Sequence, residues 1–105
     1  MTNNVIVFVT CESREEAERI AAALVGERLA ACVNVVPGVR SCYVWEGQLA
    51  WSEEVLCLMK TTRDGFAALR DRVAALHSYS VPEIVSVAVD DVNGSYSDWI
   101  QQNVG

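Results

Sequence analysis

The sequence predicts an α+β domain: one antiparallel sheet with two helices on one face, a long β-hairpin and a short C-terminal helix. Three observations predict it. Two amphipathic stretches at helical spacing separate β-branched runs. The middle of the chain is rich in Val, Tyr, Trp and Leu and folds back at Glu46-Gly47. No linker, internal repeat or low-complexity stretch divides the 105 residues, so residues 1–105 are expected to form a single domain.

The elements follow in order. Val5–Thr10 is a β-branched run suited to a buried strand. Ser13 with Glu16 three residues later reads as a capping box. Ala17, Ile20, Ala21, Leu24 and Val25 then share one face of a helix over about Arg14 to Arg28, with most charges elsewhere. Leu29–Val36 reads as a second strand. Pro37-Gly38 signals a turn or bulge, and Val39–Trp45 continues as strand. The returning strand spans about Gln48 to Thr62. Asp64 is placed to cap a second helix, in which Phe66, Leu69, Val73 and Leu76 repeat through His77. Pro82 forbids helix and extends Val81, so Ile84–Val89 is the fourth strand. Ser95 with Asp98 resembles a capping box for a terminal helix over Tyr96–Asn103. This β-α-β-β-α-β order is the split β-α-β, or ferredoxin-like, pattern. That pattern hosts many functions and fixes none.

Composition excludes several classes. A net charge of −6 argues against nucleic-acid binding, which needs a basic footprint, and against a basic membrane-surface helix. No apolar run approaches a membrane span. The N-terminus has neither basic leader nor small-residue cleavage site, and the four cysteines form no C-x-x-C pair. A cytoplasmic location with reduced cysteines is expected. The 51% hydrophobic content is high for a small chain, and Tyr43, Trp45 and Trp51 would be exposed on a lone hairpin. Both features ask for partner subunits.

Taken together, several motifs resemble the CutA family of divalent-cation tolerance proteins over about Val5 to Ile100. They are Leu29-Ala30-Ala31-Cys32-Val33-Asn34, Pro37-Gly38-Val39-Arg40-Ser41, Tyr43-Val44-Trp45-Glu46-Gly47, Lys60-Thr61, His77-Ser78-Tyr79-Ser80-Val81-Pro82-Glu83-Ile84 and Tyr96-Ser97-Asp98-Trp99-Ile100. The resemblance implies a ferredoxin-like subunit in a tight homotrimer, an architecture shared with the PII signalling proteins. It also implies a response to metal ions, with copper binding attributed to the family. The chain departs from the family pattern at two places. Ser78 stands where members often carry proline, and Thr10-Cys11-Glu12 replaces Thr-x-Pro, adding a thiol. A first-strand cysteine of some relatives matches Val9 here, so a metal role built on it does not carry over.

Each candidate residue has two readings. His77, the only histidine, is either a copper or zinc ligand or a helix C-terminal residue complementing exposed carbonyls. Glu83 either supplies an oxygen ligand or pairs with a cation. Cys32 is a soft ligand for Cu(I) or a small buried hydrophobe. Cys11, just before a helix, is expected to be the most reactive thiol because a helix N-terminus lowers thiol pKa. Cys42 and Cys57 are assigned to packing. Lys60 either meets an anionic ligand or forms an ion pair. No catalytic constellation is visible. The favoured reading is a non-enzymatic, cytoplasmic copper-tolerance protein, trimeric, binding weakly through His77 with Cys11, Cys32 or Glu83 as helpers. One alternative is a PII-like module binding a small anion in inter-subunit clefts through Lys60, Tyr79 and Glu83. Another is a trimeric scaffold for a partner protein.

Overall fold

The structure is a computed structural model describing residues 2–105. In chain order it contains β1 (Asn4–Cys11), α1 (Arg14–Gly26), β2 (Cys32–Trp45), β3 (Gln48–Thr62), α2 (Phe66–Leu76), β4 (Val85–Ala88) and α3 (Gly94–Asn103). The four strands make one sheet in the order β2-β3-β1-β4, and every neighbouring pair is antiparallel. β3 therefore lies between β1 and β2, the two strands that α1 connects. This is the α+β, ferredoxin-like arrangement that the alternation of periods predicts.

The register sorts side chains onto two faces. Val5, Val7, Val9 and Cys11 of β1, with Val55, Cys57 and Met59 of β3, pack against Ala17, Ile20 and Leu24 of α1 and Leu69 and Val73 of α2. The second face carries rows Val87–Ile6–Lys60–Cys32 and Val85–Phe8–Leu58–Asn34. α3 crosses one end of this face. There the Asn4 Nδ2 donates to Ser97 Oγ at 2.8 Å and accepts, at Oδ1, from Gln101 Nε2 at 2.7 Å. The rest of the face is open, with Val85 and Val87 about half exposed.

Four local expectations are corrected. The second strand starts at Cys32 rather than Leu29, because α1 ends in a Schellman turn. Arg28 takes a left-handed φ of 61°, its N–H reaches Val25 O, and the Leu29 N–H reaches Leu24 O. Arginine holds this glycine-favouring position because its guanidinium bonds the carbonyls of Gln102 and Gly105. The α2 cap is Gly65, not Asp64; it supplies no side-chain cap, and its own N–H donates to Thr62 Oγ1 at 3.0 Å. Asn93 precedes α3, and the Ser95–Asp98 capping box does not form. The fourth strand is shorter than Ile84–Val89, spanning Val85–Ala88.

Gly65 is required by space. A Cβ there would lie 2.9 Å from Thr62 Oγ1, 3.2 Å from Thr61 Oγ1 and 3.2 Å from a Val104 methyl. Gly65→Ala is expected to cost about 1–3 kcal/mol of unfolding free energy as this junction is overpacked. Denaturant titration reads that cost directly.

Two turns shape the hairpin. Glu46 and Gly47 both have positive φ, 52° and 79°, the requirement of a two-residue type I′ turn between Trp45 and Gln48. Between Val36 and Val39 the register shifts by one residue at Pro37-Gly38. Before this bulge, Cys32, Asn34 and Val36 lie on the open face. Beyond it, Ser41, Tyr43 and Trp45 do, opposite Ser52, Ala50 and Gln48. The bulge therefore turns Tyr43 and Trp45 toward the side on which Glu54 lies.

Candidate functional site

The predicted capping box forms and does more than cap α1. Ser13 Oγ accepts the Glu16 N–H at 3.1 Å, while Glu16 Oε1 accepts the Glu12 N–H at 3.3 Å, one residue before the usual partner. The other oxygen, Oε2, accepts the Ser78 N–H at 2.7 Å across 62 residues of chain. Glu16 thus ties the start of α1 to the segment leaving α2. Burial raises its carboxyl pKa, but hydrogen bonds from the Ser78 hydroxyl and N–H and the Glu12 N–H outweigh this and hold it below the usual range.

His77 enters the same place from the end of α2. Its N–H caps the helix by bonding Val73 O, and its ring is buried. The Nε2–H donates to Thr10 O at 2.8 Å, and Nδ1 accepts the Tyr79 N–H at 3.0 Å. A carbonyl can only accept and an amide N–H can only donate, so these partners assign the proton to Nε2. Nδ1, whose single lone pair accepts the Tyr79 N–H, lies 4.0 Å from Glu16 Oε2.

Cys11 completes a cluster. Its Sγ, one carboxylate oxygen of Glu16 and one ring nitrogen of His77 lie within 4.8 Å of one another, and all three residues are buried. Ligands of a shared tetrahedral ion stand about 3.5 Å apart, so holding an ion would require the three groups to draw together and His77 Nδ1 to release the Tyr79 N–H. The Thr10 carbonyl on Nε2–H is the outer-shell contact that orients a metal-binding imidazole. The donors are one sulfur, one nitrogen and one oxygen, a mixture suited to copper or zinc rather than to calcium or magnesium.

The sequence reading of Cys11 as the reactive thiol is corrected. Its residue is fully buried. Hydrogen bonding with Cys57, its diagonal neighbour on β3, then burial, then the Glu16 and Glu54 charges push its thiol well above the ordinary range. The same hydrogen bond lowers Cys57. The helix terminus does not prevail because the thiol points into the core beside carboxylates. Cys42 is also reassigned, since it is exposed on the hairpin rather than packed.

The remaining candidates lie apart from this cluster. Cys32 sits across the sheet from Lys60, whose Nζ is 3.8 Å from Cys32 Sγ and bonds Asn34 Oδ1. Glu83 lines a groove of about 740 Å³ between the hairpin and the Tyr79–Glu83 segment. Thr10, Tyr43, Trp45, Glu54 and Tyr79 line it too. The Tyr79 hydroxyl donates to Glu54 Oε2 at 2.9 Å, and burial followed by Glu54 raises its pKa. Within one subunit Lys60 does not line this groove. Glu16 and Glu54 are the site residues that sequence reading missed. The capping box marked Glu16 for a local role, but nothing local joined it to residues 77 and 78.

Residues 5–103 match the family model of the CutA1 divalent ion tolerance protein. The divalent-cation tolerance protein CutA of Thermus thermophilus is 50% identical over 95% of this chain and 97% of its own length. The crystal structure of CutA from Xylella fastidiosa superposes with a TM-score of 0.97 at 36% identity, covering 99% of this chain and 100% of that one. Human protein CutA is 41% identical over 90% of this chain, which spans 53% of the human protein's length.

Proposed function

The chain belongs to the CutA1 divalent ion tolerance protein family, and we propose that it binds copper at Cys11, Glu16 and His77 as a non-enzymatic homotrimer. The observation that carries the metal reading is the convergence of those three buried donors within 4.8 Å. Three mixed donors with no dedicated fourth make a weak and poorly selective site, at which copper outcompetes other divalent ions. The open apolar sheet face supports the trimer, because a single subunit would leave Val85, Val87, Tyr96 and Trp99 substantially exposed. Four free cysteines among the described residues suit a reducing compartment, consistent with action in the cytoplasm.

Calorimetric titration of reduced, metal-free protein tests the site. About one copper per subunit is expected, with proton release because the bound thiol must ionise. Binding is expected to vanish in Cys11→Ala and in His77→Ala, and to persist in Cys32→Ala and Glu83→Ala. Unchanged stoichiometry and affinity in folded Cys11→Ala would remove the assignment.

A further inference from the structure

One buried thiol stands outside the three-donor cluster. Cys57 lies on β3 opposite Val9, and Cys11 lies opposite Val55, so the two cysteines are diagonal neighbours on one face of adjacent strands. Their sulfurs share a hydrogen bond, and both residues are fully buried. They sit in the layer between the sheet and the helices α1 and α2, packed with Ala17, Ile20, Leu69 and Val73. A single subunit closes that layer by itself, so association through the opposite sheet face leaves the pair as it is.

Two buried thiols in contact can pack as small hydrophobes and do nothing more. Their spacing allows a second role. The three-donor cluster must draw together and strip the Tyr79 N–H from His77 before it holds an ion. The thiol pair escapes that cost, because a thiol is a weak donor and exchanging its proton for an ion breaks no other bond. Two thiolates on opposite sides of one ion stand about 4.6 Å apart at metal–sulfur bonds of about 2.3 Å, only slightly wider than sulfurs in hydrogen-bonding contact. Two soft donors suit a soft ion that is content with two ligands, whereas zinc, calcium and magnesium need more donors. We propose that Cys11 and Cys57 bind one monovalent copper ion as a two-coordinate thiolate pair. The proposal deepens the copper reading above but needs neither Glu16 nor His77. Cys11 belongs to both sets, so Cu(I) on the pair excludes a divalent ion from the cluster. Each thiol gives up its proton to solvent as its sulfur bonds the ion, and no electron is transferred. Coordination ionises thiols that burial otherwise keeps protonated. One negative charge remains on the pair near the Glu16 and Glu54 carboxylates, and the Cu(I)–thiolate bonds have to exceed that repulsion.

The test uses the full chain with Cys32→Ala and Cys42→Ala, kept reduced and free of oxygen, and Cu(I) held by a chromogenic chelator as the probe. Transfer of about one Cu(I) per subunit is expected, with sulfur and no nitrogen among the copper neighbours in X-ray absorption spectra. Cys57→Ala is expected to weaken Cu(I) by more than about a hundredfold, because losing even an outer-shell partner of a ligand costs about 10–100-fold. Cys57→Val, which refills the space without a sulfur, serves as the second variant should Cys57→Ala not fold. His77→Ala is expected to keep Cu(I). Zinc, as the divalent probe, is expected to depend on His77 and not on Cys57, which separates failure of the thiol pair from failure of the cluster. Undiminished Cu(I) affinity in the folded Cys57 variants, loss of Cu(I) in folded His77→Ala, nitrogen in the copper shell, or no transfer from the chelator would each overturn the proposal.

Discussion

A chain carrying Val85→Asp and Val87→Asp is expected to sediment as a single 11.5 kDa subunit at micromolar concentration, and the parent, as the proposed homotrimer, is expected at three times that mass. Both valines lie on β4, the edge strand, and point to the open face beside Phe8 and Ile6. They are 50% and 49% exposed in the subunit, so their replacement costs the lone fold little. Within a trimer their burial contributes about 1.5–3 kcal/mol each. Losing both weakens each contact by about 10²–10⁴-fold, and the two buried carboxylates add a further desolvation cost. The geometry of the edges strengthens the case. β2 offers 14 residues of unpaired edge along an elongated molecule of 45 × 26 × 23 Å, a template that proteins seldom leave uncovered. A double variant that keeps the parent mass would show that this face is not the interface.

The second large effect concerns Glu16. Glu16→Ala removes the acceptor for the Glu12 and Ser78 N–H groups in a place that water does not readily reach. The expected loss is about 2–4 kcal/mol of stability, because buried donors are left unsatisfied. For a domain of this size that corresponds to a fall in Tm on the order of 10–30 °C. The pH dependence has a definite sign. A carboxyl held below its ordinary value of 4.5 stabilises the fold above that pH, and the contribution disappears as pH falls through the lowered folded value. The parent should therefore lose stability on acidification below about pH 4.5, and Glu16→Gln should show a shallower acid limb. A parallel acid limb in Glu16→Gln would mean that other carboxylates govern acid unfolding.

Much of the architecture was legible residue by residue. The β-branched run Val5–Thr10, helical spacing from Ala17 to Leu24, and Glu46-Gly47 between two aromatic strands each report a short-range preference, and each element forms. The misplaced boundaries share one cause. Asp64 and Ser95 have the chemistry of caps, yet packing rather than side-chain bonding sets where α2 and α3 begin. Leu29 has strand propensity, but the Schellman turn at Arg28 claims it first.

The sites divide differently. The sequence alone determined the family and the fold class, because motifs and periodicity are written in neighbouring residues, and it named His77 with Cys11, Cys32 and Glu83 as candidate ligands without choosing among the last three. Only the tertiary structure decided that Glu16 joins them, that Cys32 and Lys60 sit on the other face, and that Glu54 shares a groove with Glu83 and two hairpin aromatics. The physical reason is the sheet itself. Strand register converts each residue's parity into a face, and a single bulge at Pro37-Gly38 reverses that parity for the outer half of β2. Which distant side chains meet is set by that register and by where the helices cross it, and neither is encoded within a few residues of the groups that meet.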